Sequence, residues 1–166
     1  MNTGAQNATG EIFIFLHADT FLPDNALTDI KQVISSTKKG RGRFDISLNG
    51  TSAMLKVISL LMNIRSRLTG IATGDQVIFI SNNLFNEVNG YTEIALMKDI
   101  NLSARLNKLY KPYCLRSKVI SSDGRWEQVG LVRTILLMWC LRLRYFFGES
   151  PETLSILYRR GLFWKP

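Results

Sequence analysis

The chain has 166 residues, 46% hydrophobic and 20% charged, with a net charge of +8 and a pI near 9.8. That is enough apolar material for a packed core and too well mixed for a disordered chain, so one ordinary domain, or the remnant of a larger one, is expected. The excess of positive charge calls for an anionic partner, which leaves nucleic acid, an anionic membrane face and phosphorylated small molecules as classes.

The opening NTGAQNATGE is polar and lacks the basic start of a secretory leader. EIFIFL (11–16) reads as a buried strand, and it ends in His17, the single histidine, and Asp19. Strand alternation would place those two on one side. LPDN opens a helix over about 25–36, with Leu27, Ile30, Val33 and Ile34 at helical spacing. KKGRGR (38–43) is the densest basic run; it reads as a turn without interleaved aromatics, so nucleic acid is not an expected partner. GRFDISL (42–48) is a second strand. A helix over 52–68 carries Leu55, Ile58, Leu61, Met62 and Leu68 and closes on Arg65, Arg67 and Gly70.

QVIFI (76–80) is the next apolar strand, SNNLFNEVNG a short capped helix closed by Gly90, and 93–108 a helix. An irregular strand at 113–121, a long helix over about 126–146 and a last helix from SPET complete the chain. Strands alternating with helices predict an α/β domain. No G-x-G-x-x-G or P-loop string occurs, and the chain enters directly what reads as a middle strand. Cys114 and Cys140 lie far apart without metal spacing, which suits free thiols in a reducing compartment.

Four stretches could carry chemistry. HADT (17–20) ends a strand where open α/β sheets bind ligands, and a carboxylate there can hold Mg²⁺ or Mn²⁺ together with substrate phosphates; the plainer reading is a turn. TGIATGDQ (69–76) is a glycine-containing loop able to approach an anion closely, with Asp75 beside it, although such loops before strands are common. In LMKDINLSARL (96–106), Asp99 falls in the first helical turn, where it either takes a proton from a substrate hydroxyl or is simply exposed. The 124–147 stretch is apolar but interrupted by Arg133, Arg142 and Arg144, and its uninterrupted run is too short to cross a bilayer; it reads as a core helix or as a basic helix lying on an anionic membrane.

Taken in order, FLHADT, GRFDI, the RSRLTGIATGDQ series, LMKDINLSARL and RWEQVGLVRTILLMWCLRL resemble the family 2 glycosyltransferases. Within them the likeness is to the branch linked with arsenosugar biosynthesis, also called selenodomain-associated transferases. The resemblance covers about residues 1–160. It implies a GT-A fold, a Rossmann-like mixed sheet flanked by helices, as a catalytic core over 1–125 with C-terminal amphipathic helices over 126–166. It implies inverting, metal-dependent transfer, of hexosyl type, from a nucleotide-sugar donor to an acceptor hydroxyl.

HADT is similar to the family's DXD motif, so Asp19 matches its metal-binding carboxylate and His17 its first position. Gly74 and Asp75 fall on the donor–acceptor pocket. Asp99 matches the general base, and Arg125 and Trp126 the end of a Q-X-X-R-W motif whose Gln is Ser122 here. Lys98 replaces the first of an acidic pair, which should lower the pKa of Asp99. The first nucleotide-binding strands of the family are lacking, so an open sheet edge, self-association or a partner carrying an N-terminal half is expected. A cytoplasmic protein, peripheral at the inner membrane face, is expected from the free thiols and the Arg-interrupted apolar helix. The rival expectation is an inactive truncated remnant or a peripheral membrane-binding module.

Overall fold

The computed structural model describes residues 1–36, 40–50, 52–121 and 131–160, without the side chains of residues 131, 132 and 160. Two compact units are present: Met1–Thr92 with Asp99–Ser122, and Glu93–Lys98 with Asp123–Pro166.

The first unit is mixed α/β. In chain order it contains α1 (Asn2–Asn7), β1 (Ile12–Phe15), β2 (Thr20–Phe21), α2 (Ala26–Ser36), β3 (Arg41–Leu48), α3 (Ala53–Thr69), a 3₁₀ turn at Gly74–Gln76, β4 (Ile78–Ser81), α4 (Asn82–Glu87), α5 (Lys98–Asn107) and β5 (Tyr113–Ser121). The five strands form one mixed sheet in the order β1-β4-β3-β5-β2. Only β3 and β5 run parallel; the other pairings are antiparallel. The strand before His17 was expected to be a parallel one. It instead pairs antiparallel with β4, Phe13 opposite Ile80 and Phe15 opposite Ile78, and stands at the end of the sheet order.

Alternation along β1 places Phe13 and Phe15 on one face. Phe13 meets Phe85 edge-on at 5.4 Å, and Phe15 meets Tyr91 at 4.9 Å. With Ile80, Leu84, Leu102 and Leu106 these rings form a continuous core. Asn2 of α1 reinforces it by exchanging two hydrogen bonds with the Tyr91 backbone, at 2.8 and 2.9 Å.

Several boundaries differ from the sequence expectation for local reasons. The helix expected over 93–108 spans only Lys98–Asn107, because Met97 sits at φ 67°, outside right-handed helical space. KKGRGR is only in part a turn: Arg41 and Arg43 lie in β3 and are buried. Gln76 belongs to the 3₁₀ turn, and the strand begins at Ile78. Ser81 stands at the start of α4 without capping it through its side chain, while Gly90 closes the segment in the left-handed region at φ 60°.

α3 departs furthest from a simple amphipathic helix. Ser52 caps it and Gly70 ends it at φ 69°. It buries Leu55 and Ile58 but also Ser59, Asn63 and Ser66, whereas Leu61 and Leu68 are exposed. Two of the buried polar groups, Ser59 and Asn63, have partners on β3, whereas Ser66 Oγ has none. Asn63 accepts from Ile46 N–H at 2.9 Å and donates to Ile46 C=O at 3.0 Å, and Ser59 accepts from Leu48 N–H at 3.0 Å. β4 pairs with β3 only along Arg41–Arg43, so beyond that point the α3 side chains do what a neighbouring strand would do.

The second unit contains α6 (Leu131–Phe146) packed on α7 (Pro151–Arg160), with Leu137, Leu141 and Leu154 buried. Arg144 and Glu149 form an ion pair across the turn between them. Among the described residues no helix is long and apolar enough to cross a membrane, and Cys114 and Cys140 are free thiols.

Candidate functional site

β1 ends at Phe15, so strand alternation does not carry the chain as far as Asp19. A turn does: Thr20 N–H donates to His17 C=O at 3.2 Å, leaving His17 half-exposed and Asp19 exposed on the same reversal. Two further segments meet His17. Its Nδ1 lies 3.6 Å from Asp75 Oδ1, an ion-pair contact longer than a hydrogen bond. On its other side is Gly74, where a β-carbon would fall 2.0 Å from His17 Nε2 and 3.0 Å from Asp99 Oδ2. Only glycine admits the imidazole and the α5 carboxylate this close to the loop backbone.

The loop is held from two helices. Ser103 of α5 receives Ala72 N–H at 3.2 Å and donates to Ala72 C=O at 3.3 Å, and Gln76 Nε2 reaches Asn63 of α3 at 3.3 Å. The turn hydrogen bonds from Gln76 N–H to Thr73 C=O and from Val77 N–H to Gly74 C=O then fix Asp75 at its crown.

Asp99 is half-buried in the first turn of α5. Its Oδ2 accepts from Gly74 N–H at 3.0 Å, while Oδ1 is shielded from solvent and has no hydrogen-bond partner. Burial is the largest influence and raises its carboxyl above the usual range; the His17 charge, the Gly74 N–H and the neighbouring Tyr91 hydroxyl oppose it, and Asp75 adds to it. Tyr91 stands beside Asp99 without meeting hydrogen-bond geometry, and burial pushes its phenol up as well. The lowering expected from Lys98 is therefore not what dominates: the Lys98 side chain is exposed, and desolvation of Asp99 outweighs the groups that favour its charge. His17 is raised too, first by its contact with Asp75 against partial burial, then by the charges of Asp75, Asp99 and Asp19.

His17, Asp19, Gly74, Asp75 and Asp99 thus come together from three separated segments. Arg125 and Trp126 lie outside the described residues. Among the described residues no three His, Cys, Asp or Glu side chains close on a single point as a metal cage. The surplus of carboxylates around one imidazole, with Asp19 open to solvent, fits a divalent cation that takes one or two protein carboxylates and completes its shell with substrate phosphates.

Two cavities, of about 350 and 370 Å³, flank α1 and do not include this cluster. Compared with protein-family models, with curated proteins and with solved structures, the chain has no match in any of the three.

Sequence reasoning missed two residues. Tyr91 follows a closing glycine and carries no pattern that points at Asp99. Arg65 reads as part of a cationic helix end, yet its Nε and Nη2 are buried without a hydrogen-bond partner and the Asp75 charge acts on it.

Proposed function

We propose that the chain is a glycosyltransferase of GT-A type, metal-dependent and inverting, that moves a sugar from a nucleotide-sugar donor to an acceptor hydroxyl. The observation that carries this reading is Asp99: a carboxylate with one oxygen held by Gly74 N–H, the other without a partner, and a pKa raised by burial. A base of this kind sits nearer neutral pH than an ordinary carboxylate, where proton transfer is most effective.

Asp99 takes the proton of the acceptor hydroxyl as that oxygen forms a bond to the anomeric carbon. The bond from that carbon to the donor's phosphate oxygen breaks, and its electron pair leaves with the nucleoside diphosphate. Asp19 would hold the divalent cation, which supplies charge neutralisation to the departing diphosphate. His17 ties the Asp19 turn to Asp75 and Gly74, so donor and acceptor sides are kept in register.

Calorimetry with UDP or GDP and Mn²⁺ tests the reading. Binding that requires the metal and is lost in Asp19→Ala is the expected result; equal affinity in the variant removes Asp19 from this role.

A second reading, peripheral attachment to an anionic membrane, is favoured by α6. Leu136, Trp139, Leu143, Phe146 and Phe147 are exposed, the last two at 82%, and lie at helical spacing with exposed Arg133 and Arg144 among them. An apolar stripe edged by arginines suits the headgroup region. Co-sedimentation with liposomes should increase with anionic lipid, fall with salt and drop in Trp139→Ser. Indifference to lipid charge excludes this reading.

A further inference from the structure

Opposite the face that α3 sets against β3, the helix presents a strip of apolar side chains to water. Met54, Val57, Leu60, Leu61, Ile64 and Leu68 form it, from 44% exposed at Ile64 to 81% at Leu68. At about 100° per residue these six fall within roughly 120° of the helix circumference. The strip is centred opposite Leu55, Ser59 and Ser66, which are buried. From Met54 to Leu68 it runs for about 21 Å. Single exposed leucines need no explanation, whereas six in one unbroken strip mark a face that meets something apolar.

The charges around the strip are of one sign. Helical spacing places Lys56 and Arg67 along one edge and Arg65 along the other. No carboxylate occurs in the sequence between Asp45 and Asp75, and Asp45 is already shared by Arg43 and Arg67. Positive charge is therefore in surplus beside the strip.

The alternating three- and four-residue spacing of Met54, Val57, Leu61, Ile64 and Leu68 would also suit a second helix. A second copy of this chain, however, brings another Lys56, Arg65 and Arg67 to the seam and no carboxylate of its α3 to meet them, and like charges oppose such a pairing. Anionic lipid supplies both complements: acyl chains for the strip, and headgroup phosphates for the cations at its edges. From this we infer that α3 is an interfacial helix, through whose outer face the α/β unit rests on an anionic membrane with the helix axis in the membrane plane. The inference depends on neither reading above, since it uses no residue of α6 and no transferase chemistry.

The full chain is co-sedimented with vesicles of phosphatidylcholine alone and of phosphatidylcholine mixed with phosphatidylglycerol. Binding to the mixed vesicles that weakens with salt is the expected result. The double variant Leu61→Gln, Ile64→Gln, shown to be folded by circular dichroism, should lose about tenfold or more in affinity. Lys56→Gln, which leaves the strip intact, should lose about fivefold. Equal binding to neutral vesicles, or undiminished binding in both α3 variants, overturns the inference. So does a dimer of the unaltered chain, seen by analytical ultracentrifugation without lipid, that the double variant converts to monomer; the strip then belongs to a second copy. Trp139→Ser forms the separate arm for α6. Loss in the α3 variants with retention in Trp139→Ser upholds α3 and removes the α6 reading, the reverse pattern does the opposite, and loss in both upholds both.

Discussion

α3 and α5 flank the same loop and are built on opposite plans. α5 is conventional: Leu102 and Leu106 enter the aromatic core, and its polar residues pin neighbouring segments, Ser103 to Ala72 and Arg105 to the carbonyls of Val88 and Gly90. α3 turns Ser59 and Asn63 inward to serve the backbone of β3 and leaves Met54, Val57, Leu60, Leu61, Ile64 and Leu68 toward solvent. The contrast teaches that an unpaired strand stretch inside a protein must find donors and acceptors somewhere, and that a helix can supply them from the face it turns inward. Each buried peptide group left without a partner costs about 1–3 kcal/mol, comparable to exposing one large aliphatic side chain.

The largest effect should come from the α5 side. Asp99→Asn is expected to reduce transfer by roughly 10²–10⁴-fold, since general-base catalysis is worth about that much. Stability should move the other way. Asp99 is raised in the folded state, so the folded protein holds the proton more tightly, and stability declines as pH climbs from the ordinary Asp range through the raised pKa. Asn lacks that penalty, so the variant should melt higher at pH 7 and no higher at pH 3. A variant with full turnover, or one destabilised at neutral pH, would contradict the placement of Asp99.

An intermediate effect separates the helices directly. Asn63→Leu leaves both Ile46 backbone groups unmatched and should cost about 2–5 kcal/mol in urea titrations, as much as Leu102→Ala, for which a cavity predicts the same range. If adding a leucine to α3 proves neutral, Asn63 is not standing in for a strand. The smallest effect belongs to the outer face: Leu68→Gln, at a position 81% exposed, should change stability by no more than about 0.5 kcal/mol.

Much of this architecture was legible beforehand, and the exceptions share a cause. β3 and β5 were readable because each is a short run bounded by turn residues, and α5 because its apolar side faces the core. Periodicity marks where apolar residues recur along α3 but carries no information about which side a strand edge will claim. Alternation suggested a shared strand face for His17 and Asp19, but β1 ends at Phe15 and a turn joins them instead. The meeting of His17, Asp75 and Asp99 was suggested by resemblance alone, because contacts between such distant segments leave no local trace. Arg65 was overlooked because a cation near a helix end already has a sufficient local explanation.

The sheet order also sets a schedule for the growing polypeptide. Thr20 is hydrogen-bonded through its hydroxyl to Ser121, 101 residues later, and β1 must wait for β4. At translation rates of about 5–20 residues per second, the IFIF strand and the turn bearing His17 and Asp19 spend roughly 5–20 seconds outside the ribosome before their last partner emerges. A strand of alternating Ile and Phe without charge is just the kind of segment that self-associates when left waiting. Chaperone occupancy of this strand on nascent chains should therefore begin when Ile12–Phe15 leaves the exit tunnel and end only after β4 has followed.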